Sequence, residues 1–303
     1  MAVEKKKIVK KVLRIIVIIL IINVVIQGFV TKLVYDSVFS RYESGVHKTC
    51  IYKSQNAEAC SFLTEDNVML SGALFKSGGE ALIVIAQGIN SHGCAFSEEI
   101  DHFLSEGYDV FIFDMTGSGA SDGESAVGFS RAALDLDCAL SFIEREYDYS
   151  DVLLLGHSRG GYGALCALAG DHRVSAVVSV NGVNSAMEAV ISPAEEKIGP
   201  LAYFNYPMLW LYQVMLFGRE AVDLTGIDAI NSSSVPVLIV ESEEDEVLFE
   251  ERCSIGAHRD EIARDGVEFF KIEGGHSAAF SGELDASLMD KINGFYRECL
   301  NGR

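Results

Sequence analysis

Hydrophobic positions along this chain fall into three regimes, and each predicts a different kind of element. Residues 15–30 are apolar except at Asn23, Gln27 and Gly28. Continuing the run to Val34, with Lys32 snorkelling, gives about 20 residues, enough to span a hydrocarbon core. From residue 58 onward, short β-branched runs alternate with stretches of helical period. Strands are predicted over 68–76, 81–86, 109–114, 152–155, 174–180, 235–240 and 267–272, the first two joined by a hairpin-like turn at 77–80. Helices are predicted over 96–105, 129–146, 162–169, 250–264 and 284–299. In 129–146, Ala132, Leu136, Ala139, Leu140 and Ile143 share one face. Such alternation implies a doubly wound, mostly parallel α/β sheet with crossover helices and a ligand crevice at the carboxyl ends of its strands. The third regime is the stretch 181–234, about fifty residues that break the alternation and read as a helical cap. Its apolar, aromatic core at 199–217 is expected to pack on the sheet with one side and to line an apolar ligand pocket with the other.

Charge divides the chain in the same places. Lys5, Lys6, Lys7, Lys10, Lys11 and Arg14 precede the apolar run, so the positive-inside rule places residues 1–14 in the cytoplasm, 15–34 across the membrane and the bulk of the chain outside. A cleaved signal peptide fits less well, because no Ala-x-Ala-like site follows. Residues 35–57 then read as a juxtamembrane linker and 58–300 as the main folded domain. The net charge is −20, and beyond residue 47 sixteen basic residues face forty-one acidic ones. That balance argues against nucleic acid as a partner and against adhesion to anionic headgroups. Seven cysteines define no disulfide framework in a chain long enough to build its own core. Cys94, Cys138 and Cys166 read as small buried hydrophobes, and a pairing of Cys50 with Cys60 stays open. No Cys-x-x-Cys or His-Glu-x-x-His spacing occurs, so no metal or other cofactor is expected. Glycine-rich 117–123 is no phosphate cradle, since no Gly-Lys-Ser/Thr closes it.

The chemistry centres on Gly156-His157-Ser158-Arg159-Gly160, set between a predicted strand and a predicted helix. A bend this sharp presents the serine hydroxyl clear of the sheet, and the flanking glycines let neighbouring backbone approach. The helix behind it favours negative charge at the same point. A serine nucleophile needs a histidine base and a carboxylate to orient it. After the 235–240 strand comes Glu241-Ser242-Glu243-Glu244-Asp245-Glu246-Val247, and after the 267–272 strand comes Glu273-Gly274-Gly275-His276-Ser277. The order Ser158, Asp245, His276 is the one expected when a triad hangs on such a sheet. His157 is expected to point behind the bend and to pack.

With Gln87-Gly88-Ile89-Asn90-Ser91, Asp114-Met115-Thr116-Gly117-Ser118-Gly119, Ser242-x-x-Asp245-x-Val247 and Gly274-Gly275-His276 added to the serine bend, residues 58–300 resemble the α/β-hydrolases of the serine-nucleophile type. The similarity is to bacterial esterases, lysophospholipases and the serine aminopeptidase-like branch. This chain departs from the family's usual pattern at Gln87, at Glu241 and Ser242, and over 116–119, none of which removes a catalytic group. The resemblance implies acyl transfer to water, with Ser158 as nucleophile, His276 as base and Asp245 as orienting acid. It also implies an oxyanion site made by the backbone N–H groups of Arg159 and Ile89, with Asn90 as the alternative second donor. A membrane-anchored hydrolase of a small or lipid-like carboxylic ester is the leading expectation. An extracytoplasmic serine peptidase and a non-catalytic binding protein on the same scaffold are the other two. Nothing in the sequence speaks to oligomeric state.

Overall fold

The computed structural model describes residues 2–42, 57–248, 253–280 and 284–302. Eight strands form one sheet: β1 (Ala57–Leu63), β2 (Met69–Phe75), β3 (Ala81–Ala86), β4 (Asp109–Asp114), β5 (Asp151–His157), β6 (Val174–Val180), β7 (Val237–Ser242) and β8 (Val267–Ile272). Their spatial order is β1-β2-β4-β3-β5-β6-β7-β8. β2 runs antiparallel to both of its neighbours, and every pairing from β4 across to β8 is parallel. This is the α/β-hydrolase arrangement. β3, β4 and β6 are buried at every position, as parallel strands covered on both faces must be.

The helices are α1 (Ala2–Val38), α2 (Ser97–Ser105), α3 (Phe129–Glu146), α4 (Arg159–Cys166), α5 (Ala186–Ile198), α6 (Tyr206–Phe217), α7 (Arg219–Asp223), α8 (Gly226–Ser232) and α9 (Ala286–Asn301). The two-residue period of the strands sorts the core into two layers. Leu82, Val84 and Leu154 face Leu136 and Leu140 of α3 and Ile230 of α8. Ile83, Ile85 and Leu153 face Phe103 of α2 and Leu288 and Ile292 of α9. Helices α5 to α8 occupy the stretch read as a cap. Met187, Ile191, Leu209 and Val222 of this cap pack with Tyr162 of α4 in a third apolar cluster.

Four details differ from the sequence reading. The turn at 77–80 is not a hairpin, because β4 lies between β2 and β3. Asp109 at the start of β4 holds that turn, accepting the amides of Ser77, Gly78 and Gly79. β1 was not expected as a strand, since it is an edge strand with Phe62 as its one buried residue. The helix expected at 250–264 is, within the described residues, a 3-10 turn Ile255–Glu261 broken at His258. Its start is pinned by Ser254, which donates to Glu241 and accepts from Gly256, and a Cβ on Gly256 would overlap the Glu241 carboxylate. Cys60 is a free thiol, so the suggested pairing with Cys50, itself outside the described residues, does not hold. Cys94 is disulfide-bonded instead of being a plain buried hydrophobe.

The segment expected to be an anchor and linker also differs. α1 runs unbroken to Val38 and residues 35–42 pack on the domain, while the rest of the expected linker, 43–56, lies outside the described residues. Tyr35 and Phe39 are buried at 3% and 2% exposure, with Phe39 packed on Tyr35 and edge-on to Phe129. The Arg41 guanidinium donates to the carbonyls of Gly119, Ser121 and Gly123. Tyr35 and Phe39 thus extend the buried surface, large aromatic side chains gaining most from being covered.

Candidate active site

The bend after β5 is tight for reasons visible in its glycines. A Cβ on Gly156 would overlap the Gly160 carbonyl, and one on Gly160 would overlap the Ala86 carbonyl. Ser158 is held at φ 53° and ψ −117°, a left-handed conformation costing a non-glycine residue about 1–3 kcal/mol. Its amide donates to the Val180 carbonyl at the end of β6. The serine therefore stands at the carboxyl edge of the sheet and at the amino end of α4.

The ends of β7 and β8 bring the other two predicted residues to it. His276 Nε2 lies 2.9 Å from Ser158 Oγ, and His276 Nδ1 lies 2.7 Å from Asp245 Oδ2. With Nδ1–H donated to the carboxylate, Nε2 is free to accept from the serine hydroxyl. Burial pushes the Asp245 pKa up, but His276 and the amides of Leu248 and Val247 outweigh it and hold the carboxylate below its ordinary value. Both amides reach Asp245 Oδ1 at 2.9 Å. The neighbouring Glu246 takes a different task, accepting the His276 amide at 2.9 Å.

The loop after β3 crosses close to Ser158: a Cβ on Gly88 would stand 3.4 Å from Ser158 Cβ. Ile89 follows on that loop and packs against the cap cluster. Arg159 is the first residue of α4, so its amide has no partner within the helix. The Arg159 side chain is fully buried and donates to the Ala126 carbonyl at 3.1 Å. The Arg159 side chain is thus committed to the protein interior, and only its backbone amide faces the amino end of α4. Gln87 binds Ser118 Oγ at 2.8 Å, and Asp114 accepts the amides of Gly93 and Ala120, which makes it a turn anchor.

A family model described as serine aminopeptidase, S33, matches residues 79–260, more than half of the chain. The chain belongs to the S33 serine aminopeptidase family. It is 34% identical over 135 residues to the polyketide transferase af380 of Aspergillus fumigatus, covering 42% of this chain and 46% of that protein. It is 35% identical over 86 residues to the monoglyceride lipase of Mus musculus, covering 27% and 28% respectively. The chain thus spans less than half the length of either curated relative. Among solved structures, an esterase of Pyrococcus furiosus superposes with a TM-score of 0.65 at 17% identity, covering 86% of this chain and 98% of the esterase. An esterase of Exiguobacterium antarcticum gives 0.56 at 18%, covering 78% and 98%. These likenesses establish the fold.

Two residues of this S33 family member support the site in ways the sequence reading missed. Asn181, at the end of β6 with φ 48°, donates to the His276 carbonyl at 2.8 Å and exchanges bonds with Ser242. His157 was expected only to pack, yet its Nε2 meets the same carbonyl at 3.0 Å. Burial, helped by nearby His276, pushes the His157 pKa down to about 4, so the ring stays neutral and donates from Nε2. Together they fix the backbone that carries the His276 ring. An Asn-Gly pair immediately after an apolar strand was the available signal for Asn181.

Proposed function

We propose that this protein is a serine hydrolase that cleaves a carboxylic ester through an acyl-enzyme. The observation that carries this reading is the continuous hydrogen-bonded line Asp245–His276–Ser158, at 2.7 and 2.9 Å. His276 Nε2 takes the Ser158 proton as Oγ attacks the ester carbonyl, and Asp245 stabilises the imidazolium that forms. The oxyanion is held by the amides of Arg159 and Ile89 at the amino end of α4. Collapse of the tetrahedral intermediate releases the alcohol with the proton from His276. Water, activated by the same base, then frees the acid. On the inner side of the cap, Leu209 belongs to the apolar cluster on which Ile89 packs, a lining that suits an acyl chain better than the charged terminus of a peptide. The named esterases and the monoglyceride lipase support the same preference.

The helix Glu4–Val38 is long and apolar enough to cross a membrane. In our reading its basic start lies in the cytoplasm and the hydrolase domain outside. The disulfide at Cys94 supports an oxidising compartment for that domain. The test is labelling of the full-length protein by a fluorophosphonate probe, with p-nitrophenyl esters of graded chain length as substrates. Ser158→Ala and His276→Ala are expected to abolish labelling and to lower kcat about 10⁴-fold to 10⁶-fold. Unchanged turnover in a folded Ser158→Ala protein would refute the mechanism.

A further inference from the structure

Residues 199–217 contain no Asp, Glu, Lys or Arg, in a chain whose net charge is −20. They fold as the 3-10 turn Gly199–Asn205 followed by α6. α6 is apolar around nearly its whole circumference, yet only Leu209 and Gln213 are buried. Leu201, Phe204 and Met215 are each about three-quarters exposed. Met208, Leu211 and Met215 recur at spacings of three and four and so form one stripe along α6, and exposed Phe204 stands on the turn just before it. A helix this apolar belongs in a core or in lipid, and a contiguous exposed apolar face marks a surface that something covers.

The contacts of α1 indicate what covers it. A Cβ on Gly28 would stand 3.6 Å from Met208 Sδ, within the stripe itself. Asn205 Nδ2 donates to Thr31 Oγ1 at 2.7 Å, and Tyr212 OH donates to Asp36 Oδ1 at 2.9 Å. The basic cluster ends at Arg14, so a crossing of about 20 residues puts the outer edge of the hydrocarbon near residue 34. Gly28 then lies about 9 Å inside that edge, at 1.5 Å per residue, and Thr31 about 5 Å inside it. Those are the depths of an element lying in the headgroup–acyl boundary, about 5–10 Å. Trp210 fits the same level: its Nε1 donates to Asp223 at 2.7 Å and Arg219 lies over its ring, an apolar body with a polar edge, as in interfacial aromatic belts.

We infer that this face of the cap is immersed in the extracytoplasmic leaflet, held at that depth by α1, and that the acyl substrate reaches Ser158 from within the bilayer. The immersion rests on α1 crossing the membrane, and the substrate route rests on the hydrolase reading above. Trp210 is the single tryptophan of the chain, which makes its depth directly measurable. Full-length protein is reconstituted in phosphatidylcholine vesicles containing lipid brominated high in the acyl chains, and the vesicles are washed with alkali. Quenching of Trp210, and stronger quenching in Trp210→Phe/Phe204→Trp, is the expected result. Leu211→Glu/Met215→Glu is expected to relieve the quenching of Trp210 and to slow hydrolysis of a long-chain ester carried in the vesicles about tenfold, equivalent to about 1.4 kcal/mol. Its turnover of p-nitrophenyl acetate should stay unchanged. Unquenched tryptophan at both positions, in protein the vesicles retain, overturns the immersion while leaving α1 as an anchor. Release by alkali overturns it through α1. Quenching without turnover of either ester leaves the immersion standing and removes the substrate route together with the hydrolase reading.

Discussion

Phe39→Ala tests whether the segment that closes α1 is part of the folded domain. Phe39 is 2% exposed and packs between Tyr35 and Phe129, with ring centroids 4.7 and 6.1 Å away. Its carbonyl accepts the Ala126 amide at 2.8 Å. Truncating a fully buried phenylalanine costs about 3–5 kcal/mol, from lost transfer energy and the cavity left behind. In a domain of this size each kcal/mol moves the melting midpoint by about 2 °C, so the midpoint should fall by about 6–10 °C. The assay is thermal unfolding of full-length protein in one detergent at one scan rate, beside Val38→Ala as the neighbouring control. Val38 is 59% exposed, and its truncation should stay within about 0.5 kcal/mol, as for surface positions. Equal, small shifts for both variants would refute the packing argument and restore residues 35–42 to the role of linker. The same reasoning expects a fragment that begins beyond residue 42 to be markedly less stable than the full chain.

Asp245→Asn should leave the fold intact and lower kcat by roughly 10²-fold to 10⁴-fold, because the amide can no longer fix the His276 tautomer or balance its charge; ester turnover at constant protein folding checks this, and wild-type rates would exclude Asp245 as the orienting acid. Glu99 should make stability pH-dependent. It is 1% exposed, neither carboxylate oxygen has a partner among the described residues, and burial pushes its pKa from an ordinary 4.5 up to about 7. The folded state thus holds this proton more tightly than the unfolded one, so its contribution is full below about pH 4.5 and falls as pH rises through about 7, by roughly 3 kcal/mol in all. Comparing melting midpoints of wild type and Glu99→Gln at pH 5 and pH 8 should show the variant gaining at pH 8, and a gap that does not change with pH would sink the idea.

Local patterns determined much of this protein. Period-two and period-3.6 hydrophobicity is a property of neighbouring residues, so β6 and β8 could be bounded from the sequence and α2 to within one residue. The serine bend was legible because its glycines are demanded by contacts within the bend and with the adjacent strand. Ser158, Asp245 and His276, whose side chains the structure brings within hydrogen-bond reach of one another, could be singled out because chain order and strand ends restrict where such a trio can hang. Other features were decided only by tertiary structure. That β4 inserts between β2 and β3 depends on pairing across the sheet, which no local run encodes. That Asn181 and His157 grip the His276 carbonyl depends on the ends of β5, β6 and β8 converging, from positions more than ninety residues apart. The fate of the anchor was decided in the same way. Its apolar run announced a membrane helix, but whether Tyr35 and Phe39 faced water or protein was set by Gln213 of the cap helix α6 for the one and by Phe129 of α3 for the other, because burial is a property of the partner as well as of the segment.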